Sequence, residues 1–469
     1  MTQLQPKSFR DRLGMIDEKG ERIEIIPARP KGIWAKRRTL VHSFLIALFL
    51  VLPWIKIKGS PAVLLDIPNR HFSILGFEFW AHDAPMIFFV LGIATLSLAL
   101  VTAVYGRVWC GWACPQTVFL DGVFRRIEEW VEGNHLKRRE LNAAPMSLSK
   151  FIKKSLKWSL FVLFTLIITH SFLAYFVGPE RVFQMVTHSP KENWENFVFV
   201  MVLSGIFLFD LAWFREQFCV IMCPYGRFQS VLYDRYTITV QYDESRGEPR
   251  KGVPLAQGQK NGDCVNCGRC VQVCPTGIDI RNGIQMECIA CTACIDACDE
   301  IMEKLSKPKG LIRYMPSVQG AQFKLWRPRV MAYLFVLLAI VTGLFVVLIN
   351  RPKLHLQVLR AIDVPYFEKV ENNTHYIVNS YRLHVKNQTP SSQKLKITFV
   401  NHDEALKKGW KLQIPEHILE FKAGDFKMIP FLIEIPRHDI PTHGSLSLEI
   451  KVNELTKSLN FLGPKKHEY

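Results

Sequence analysis

The chain has 469 residues, of which 49% are hydrophobic, and a formal net charge of +17. This length predicts two or three domains. The apolar residues occur in blocks, much of the positive charge flanks those blocks, and no basic stripe interleaved with aromatic residues is present. The composition therefore argues against nucleic-acid binding and favours a membrane protein whose basic residues set its topology.

Residues 1–38 form a polar, basic arm that ends in Lys36-Arg37-Arg38. The first 30 residues are mostly polar and charged, so they do not resemble a secretory signal peptide. We expect this arm to lie in the cytoplasm.

Five apolar blocks of near-spanning length follow, each with charged edges. One such block could be a buried core helix, but five of them favour transmembrane helices. The blocks are Thr39–Ile55, Pro85–Tyr105, Trp158–Val177, Phe197–Phe214 and Val330–Ile349. The first four define a membrane domain over residues 39–214, and the last is a fifth helix over residues 330–349.

The loops between the blocks differ in charge. Residues 106–157 carry ten Lys and Arg, whereas 56–84 carry three and 178–196 carry two. The positive-inside rule then places the N-terminus, 106–157 and 215–329 in the cytoplasm, and the residues after the fifth helix in the periplasm. The twelve cysteines all precede residue 299, which agrees with a reducing compartment for them.

A repeat occurs in the first four blocks. An aromatic residue followed by Cys-x-x-x-Cys-Pro appears as Cys110–Pro115 after the second block and as Cys219–Pro224 after the fourth. Residues four apart share one face of a helix, so each cysteine pair can bind one metal or form one dithiol. If the two hairpins pack together, Cys110, Cys114, Cys219 and Cys223 meet at the inner membrane edge. Soft thiolates favour copper(I), zinc or an iron–sulfur cluster, and the alternative is a set of buried structural cysteines.

Three side chains within the blocks can carry a charge near neutral pH, namely those of His42, His170 and Asp210. Ionisable residues inside a membrane are functional candidates, including as metal ligands, although each histidine could instead form an interhelical hydrogen bond. Haem ligation by the two histidines is disfavoured because they are expected at different depths.

The segment 255–305 has two runs of Cys-x-x-Cys-x-x-Cys-x-x-x-Cys, as in bacterial two-cluster ferredoxins, within the cytoplasmic segment 215–329. Three cysteines of a run bind one cluster and the fourth serves the other cluster. One predicted ligand set is therefore Cys264, Cys267, Cys270 and Cys298, and the other is Cys274, Cys288, Cys291 and Cys294. Zinc sites and disulfides fit this spacing and compartment poorly. Pro275 follows the first run, whereas Asp299 replaces a second proline.

Residues 353–469 change to alternating apolar and polar stretches such as Tyr381–Lys386 and Ser445–Lys451. A period of two with short spacing predicts an antiparallel β-sandwich of about seven strands. The predicted fold is thus a multi-domain membrane protein: a five-helix transmembrane bundle, an inserted two-cluster ferredoxin-like domain and a C-terminal β-sandwich.

The stretches 106–119 and 214–230, which contain both Cys-x-x-x-Cys-Pro motifs, resemble the CcoG family of cytochrome c oxidase accessory proteins, also called FixG or RdxA. The ferredoxin segment and the C-terminal sandwich match the layout of that family. The resemblance implies a bacterial cytoplasmic-membrane location, an immunoglobulin-like periplasmic domain and a role in assembling a cbb-type oxidase. It also implies reduction of copper(II) to copper(I).

The resulting hypothesis is a cupric reductase in which two [4Fe-4S] clusters pass electrons to copper at the four thiols of the repeat. The expected partners are an unidentified cytoplasmic electron donor and oxidase subunits or copper chaperones, and a homodimer is compatible with the sequence. One alternative is a quinone-linked electron-transfer subunit, which predicts quinol-dependent cluster reduction and indifference to copper. The other is an assembly scaffold, which predicts that the cluster ligands are dispensable for oxidase maturation.

Overall fold

The computed structural model describes residues 24–464 except 58–59, 68–70, 81–83, 254–259, 319, 350–353, 362–363, 372–373, 388–391, 415–418, 422–424 and 454. The chain divides into two compact units, Met1–Phe345 and Val346–Tyr469. Most of the predicted N-terminal arm, residues 1–23, lies outside the described residues.

The first unit is largely helical. Its helices are α1 (Ile33–Val51), α2 (Ala84–Tyr105), α3 (Val108–Trp112), α4 (Pro115–Phe119), α5 (Arg125–Glu132), α6 (His135–Ala143), α7 (Leu148–Val177), α8 (Pro179–Thr187), α9 (Trp194–Leu208), α10 (Pro224–Leu232), α11 (Glu244–Gly247), α12 (Arg269–Gln272) and α13 (Ala293–Lys304), and α14 (Pro328–Ile349) ends in the second unit. Three segments are π-helical, Leu120–Phe124, Phe209–Phe214 and Phe218–Met222, and short 3₁₀ turns occur at Leu52–Trp54 and Ile280–Asn282.

Four helices among the described residues are long and apolar enough to cross a membrane: α2, α7, α9 with its π-helical continuation to Phe214, and α14. They match the last four predicted blocks, so the chain is a membrane protein. Helix α1 differs because it begins at Ile33 and includes Lys36, Arg37 and Arg38. A fifth spanning helix therefore stays a prediction.

The early start of α1 has a physical cause in a distant residue. Gly32 provides no side-chain cap, but the Asp296 carboxylate accepts hydrogen bonds from the backbone N–H groups of Trp34 at 3.2 Å and Ala35 at 2.6 Å. An acidic group at a helix N-terminus satisfies unpaired donors and complements the helix dipole. The capping carboxylate comes from α13, so the ferredoxin segment fixes the position of the first helix.

Short strands connect α1 to α2 and frame the cysteine segment. Between these two helices lie β1 (Lys56–Ile57), β2 (Ser60–Pro61), β3 (Val63–Asp66), β4 (His71–Ile74) and β5 (Phe77–Trp80), with β3-β4-β5 forming one antiparallel sheet. Strand β6 (Ile238–Tyr242) pairs antiparallel with β7 (Ile312–Pro316) on either side of the cysteine runs. The buried side chains of Val240, Ile280, Met302 and Leu311 form a core beside the cysteines.

The second unit is an antiparallel β structure. Its elements are β8 (Leu354–Arg360), β9 (Phe367–Glu371), β10 (Thr374–Asn387), β11 (Gln393–Leu395), β12 (Ile397–Phe399), α15 (His402–Lys407), β13 (Lys411–Gln413), β14 (Leu419–Phe421), β15 (Phe426–Pro436), a 3₁₀ turn (Arg437–Asp439), β16 (Ser445–Val452) and β17 (Leu455–Leu462). One sheet has the order β13-β15-β10-β8 with β9 also on β10, another has the order β12-β16-β17, and β11 pairs with β14.

A shared core joins these sheets. Leu383 and Phe431 from one sheet pack with Ile450 and Phe461 from the other, and all four are almost fully buried. Along β10, the buried residues Tyr381, Leu383 and Val385 alternate with more exposed neighbours, as expected when one face of a strand is covered. The predicted period-two pattern is therefore present in the fold.

Candidate functional site: two thiol motifs and a ferredoxin segment

Both Cys-x-x-x-Cys-Pro motifs fold in the same way. Cys114 and Cys223 are extended, with ψ angles of 127° and 113°, and the next residue, Pro115 or Pro224, is the first residue of a new helix. A proline disfavours helical geometry in the residue before it and is well tolerated at a helix start. The two cysteines of a motif therefore flank a break between helices and do not share one helical face.

The structure brings the four thiols of the two motifs together. Each of them is close enough to the others to affect their ionisation. Burial and the neighbouring thiols of Cys114 and Cys223 together raise the pKa of the Cys110 thiol to about 12, against the opposing effect of Arg107. The Cys110 thiol also donates a hydrogen bond to the side-chain oxygen of the fully buried Gln229, with 3.8 Å between sulfur and oxygen.

The first motif packs directly on the second cysteine run. A Cβ atom placed on Gly111 would lie 2.5 Å from the Ile289 carbonyl oxygen and 2.9 Å from the Cys291 nitrogen and Cα. Only glycine permits such a close backbone approach. Cys110 itself packs against a buried cluster that includes Ile289 and Cys291, so the first thiol motif and the ferredoxin segment are adjacent.

Two arginines reinforce this contact through backbone carbonyls. The buried Arg107 donates to the carbonyls of Met286, of Cys288 at 3.4 Å and of Gly226 at 2.9 Å, so it joins both motifs to the ferredoxin segment. Arg38 of α1 donates to the Cys291 carbonyl at 2.8 Å. Charged donors form strong hydrogen bonds in such partly buried positions.

The two cysteine runs have matching backbone geometry. Asn266 and Gly268 on either side of Cys267 have φ angles of +57° and +67°, and Ala290 and Thr292 on either side of Cys291 have φ angles of +53° and +64°. Positive φ is uncommon for residues other than glycine. The repeated conformation wraps each run into a tight loop before α12 or α13 begins, as wrapping three thiols around one cluster requires.

The thiols of the first predicted ligand set are neighbours. Burial raises the pKa of Cys298 to about 12 together with its neighbours Cys270, Asp299, Cys264 and Cys267. Cys267 is exposed, whereas Cys264 and Cys270 are buried. The fourth cysteine of the second run thus lies with the first three of the first run.

The second set surrounds a cavity. Cys274, Cys288, Cys291 and Cys294 line about 350 Å³ of empty space that is partly open to solvent, together with Cys270 of the first set and apolar residues such as Val240 and Ile278. Burial and the neighbouring Cys274 and Cys291 thiols together raise the pKa of Cys288 to about 12. Four sulfur donors around an apolar-walled space fit a [4Fe-4S] cluster, and the ligand assignment itself stays a prediction.

Asp299 has a structural role where a second proline was expected. It lies inside α13, which continues to Lys304, and its carboxylate accepts a hydrogen bond from the Gly310 N–H at 2.8 Å. A proline within this helix would remove a hydrogen bond and clash with the preceding turn.

The other polar candidates do not join the thiols in one site. Asp210 accepts a hydrogen bond from Gln116 at 3.1 Å, and His170 bonds to the Leu166 carbonyl of its own helix at 2.7 Å. His42 is buried against the backbone of Gly111. Within the described ranges, no group of three or more His, Cys, Asp or Glu residues is arranged to hold a single metal ion.

Several residues of the site were missed from the sequence. Arg38, Arg107, Gly111 and Asp296 connect elements that are far apart in the chain. The positions of Gly111 and Arg107, in or beside the first motif, weakly indicated that they belong to the site. Nothing in the sequence shows what they contact.

Comparison with known domains agrees with this organisation. Residues 214–317 match the 4Fe-4S dicluster domain family, and residues 86–138, which include Cys110 and Cys114, match a 4Fe-4S binding domain family. Residues 344–464 match the family described as the IG-like fold at the C-terminal of FixG. The immunoglobulin-like class of the second unit is therefore confirmed, as are the iron–sulfur domains.

Relatives that match most of this chain support the same organisation. Protein RdxA of Cereibacter sphaeroides is 33% identical over 80% of this chain and 82% of its own length. Nitrogen fixation protein FixG of Rhizobium meliloti is 32% identical over 81% of this chain and 79% of its own length. Protein RdxB of Cereibacter sphaeroides is 37% identical over 62% of each chain.

Proposed function

Because this chain belongs to the FixG/RdxA family of membrane-associated iron–sulfur electron-transfer proteins, we propose that it reduces copper(II) to copper(I) for a cbb-type oxidase. Electrons enter at the ferredoxin segment and leave at the four thiols of Cys110, Cys114, Cys219 and Cys223. Each copper(II) consumes one electron, which an unidentified cytoplasmic donor supplies.

The observation that carries this proposal is the backbone contact between Gly111 and the loop Ile289–Cys291. It leaves no side chain between the thiol motif and the loop that bears a predicted cluster ligand. Electron transfer requires a short distance between two redox groups. This contact supports such a short distance between the thiol motif and the cluster-binding loop. Arg107, beside the first motif, bridges the same junction by donating hydrogen bonds to the carbonyls of Cys288 and of Gly226, beside the second motif.

The residues that would hold the clusters are the two sets of four cysteines, and clusters bound there would supply one-electron carriers. The protein would fix the positions of these clusters and keep water away from them. Cys267 is exposed, so the first set is where a soluble donor can approach, while the buried Cys291 faces the thiol motif. Thiolates suit copper(I), which is a soft ion, so the four thiols stabilise the reduced product over copper(II).

The proposal includes an orientation in the cytoplasmic membrane. The thiol motifs and the ferredoxin segment lie on the cytoplasmic side, and the immunoglobulin-like unit lies in the periplasm. The Lys and Arg distribution between the helices supports this orientation. The periplasmic unit then faces the partners that we propose, oxidase subunits or copper chaperones.

The test is a single-turnover reaction with the full chain. Protein purified without oxygen is reduced with dithionite, desalted and mixed with copper(II), and copper(I) is trapped with a chelator. We expect the double variant Cys110→Ser, Cys219→Ser to lose most of the rate. The control Ala113→Ser adds a hydroxyl within the same motif and keeps every thiol. A double variant that forms copper(I) as fast as the control would exclude the thiols as the reaction site.

A further inference from the structure

A large cleft lies beside the first helix and is not used by the proposed electron path. Residues from 27–43, 121–138 and 269–275 line it, and it contains about 3080 Å³ of empty space, part of it open to solvent. It therefore lies between the N-terminal arm, helix α5 and the first cysteine run.

The charge of the cleft is strongly positive. Among the described residues that line it are eight Arg and Lys and two carboxylates, Asp121 and Glu129. Three of the cations are held in buried ion pairs, Arg38 and Arg125 with Asp121 and Arg138 with Glu128. Of the other five cations, Arg29 and Arg126 pair with Glu129, and Lys31 and Arg269 also interact with Glu300. The lining keeps a net positive charge, so the cleft attracts an anion.

A buried polar atom in the wall has no partner in the described part of the chain. His42 is 3% exposed and lines the cleft, and its Nε2 atom has no hydrogen-bond partner there. Buried polar groups are normally paired, and an unpaired one carries a free-energy cost. Because this atom is fully covered and His42 lies against the Gly111 backbone, His42 closes the base of the cleft and does not contact a bound ligand.

The position of the cleft favours an amphiphilic ligand, because charged and apolar side chains lie next to each other there. It is lined by Lys36 and, one turn later, by Leu40, which is 71% exposed. Phe44 in the following turn is 62% exposed. Helix α1 thus changes here from charged to apolar, as a helix does where it passes from the headgroup region into the hydrocarbon of a bilayer.

We propose that this cleft binds the phosphate headgroup of an acidic phospholipid from the cytoplasmic leaflet. Basic pockets beside membrane helices on this side are suited to lipids that carry two phosphates, such as cardiolipin. The phosphates pair with the cations around Lys36, Arg126 and Arg269, and the acyl chains follow Leu40. This inference relies on the proposed orientation but not on copper reduction.

The experiment uses the full chain, delipidated in neutral detergent, and native mass spectrometry with added cardiolipin or phosphatidylethanolamine. Each cation near a membrane surface contributes roughly one kcal/mol, so the double variant Lys36→Gln, Arg126→Gln should bind cardiolipin about 30-fold more weakly. Lys36→Gln alone changes an exposed side chain and should weaken binding about fivefold. The matched control Lys304→Gln, Lys309→Gln removes two exposed charges outside the cleft.

The outcomes separate the two sources of phosphate. Preferential binding of cardiolipin that only the cleft variants weaken supports the proposal. Equal binding of phosphatidylethanolamine, or equal loss in the control, overturns it. Inorganic phosphate that stabilises the wild type against heat as well as cardiolipin does would assign the cleft to a soluble anion and overturn the lipid source.

Discussion

Replacing Gly111 by alanine probes the junction between the thiol motif and the ferredoxin segment. The added Cβ would lie 2.5 Å from the Ile289 carbonyl oxygen, whereas ordinary contact begins at 3.4 Å, so the loop must retreat by about 0.9 Å. Overpacking of this kind costs about 1–3 kcal/mol. That cost shifts the equilibrium between the packed and parted arrangements by roughly 5- to 150-fold.

The expected result is a slower single-turnover reduction of copper(II) with an unchanged iron content. Gly205→Ala is the matched control, because its Cβ would meet nothing within 4 Å and it also lies in a helix. The control should be neutral or slightly stabilising, since alanine favours helices over glycine by about 1 kcal/mol. If Gly111→Ala retains its iron and reduces copper(II) as fast as Gly205→Ala, the close contact is not the electron path.

Three further predictions concern the thiol sets and the charges around them. Arg107→Gln removes charged hydrogen bonds to three carbonyls and should lower the free energy of unfolding by about 1.5–3 kcal/mol in denaturant titration, whereas the exposed Arg227→Gln should not. Cys298→Ser should remove about half of the iron by metal analysis, because it belongs to one ligand set, and unchanged iron would refute the assignment. Burial favours the neutral form of Glu128, but Arg215 and Arg138 hold its pKa below the ordinary 4.5. Its contribution to stability is therefore present above pH 4.5 and lost as the pH falls through the lowered pKa, and thermal unfolding of Glu128→Gln should lack this acid-dependent part.

Much of the architecture could be predicted from the sequence, because the architecture depends on patterns within short segments. The cysteine spacing, the proline after Cys114 and after Cys223, and the period-two strands are all properties of short segments. The proline alone explains the break at each Cys-Pro pair. The helical-face argument for the thiol pairs was wrong in detail, because the same proline makes Cys114 and Cys223 extended.

The remaining features depend on contacts between distant residues. Helix α1 starts at Ile33 because the Asp296 carboxylate, 261 residues beyond Ala35, binds its first N–H groups. A glycine is required at position 111 because the loop Ile289–Cys291, about 180 residues later in the chain, packs against its backbone. Arg107 donates a hydrogen bond to a carbonyl 179 residues away. Such pairings leave no periodic trace in one sequence, so they became visible only in the folded chain.

The most direct measurement is electron paramagnetic resonance of full-length protein that has been purified anaerobically, reduced with dithionite and desalted, before and after one equivalent of copper(II). We expect signals of reduced iron–sulfur clusters before copper(II) is added. On addition of copper(II), these signals should decrease without a lasting copper(II) signal, and in the Cys110→Ser, Cys219→Ser variant the copper(II) signal should persist. Reduced clusters that stay unchanged while copper(II) remains oxidised in the wild type would contradict the proposed function.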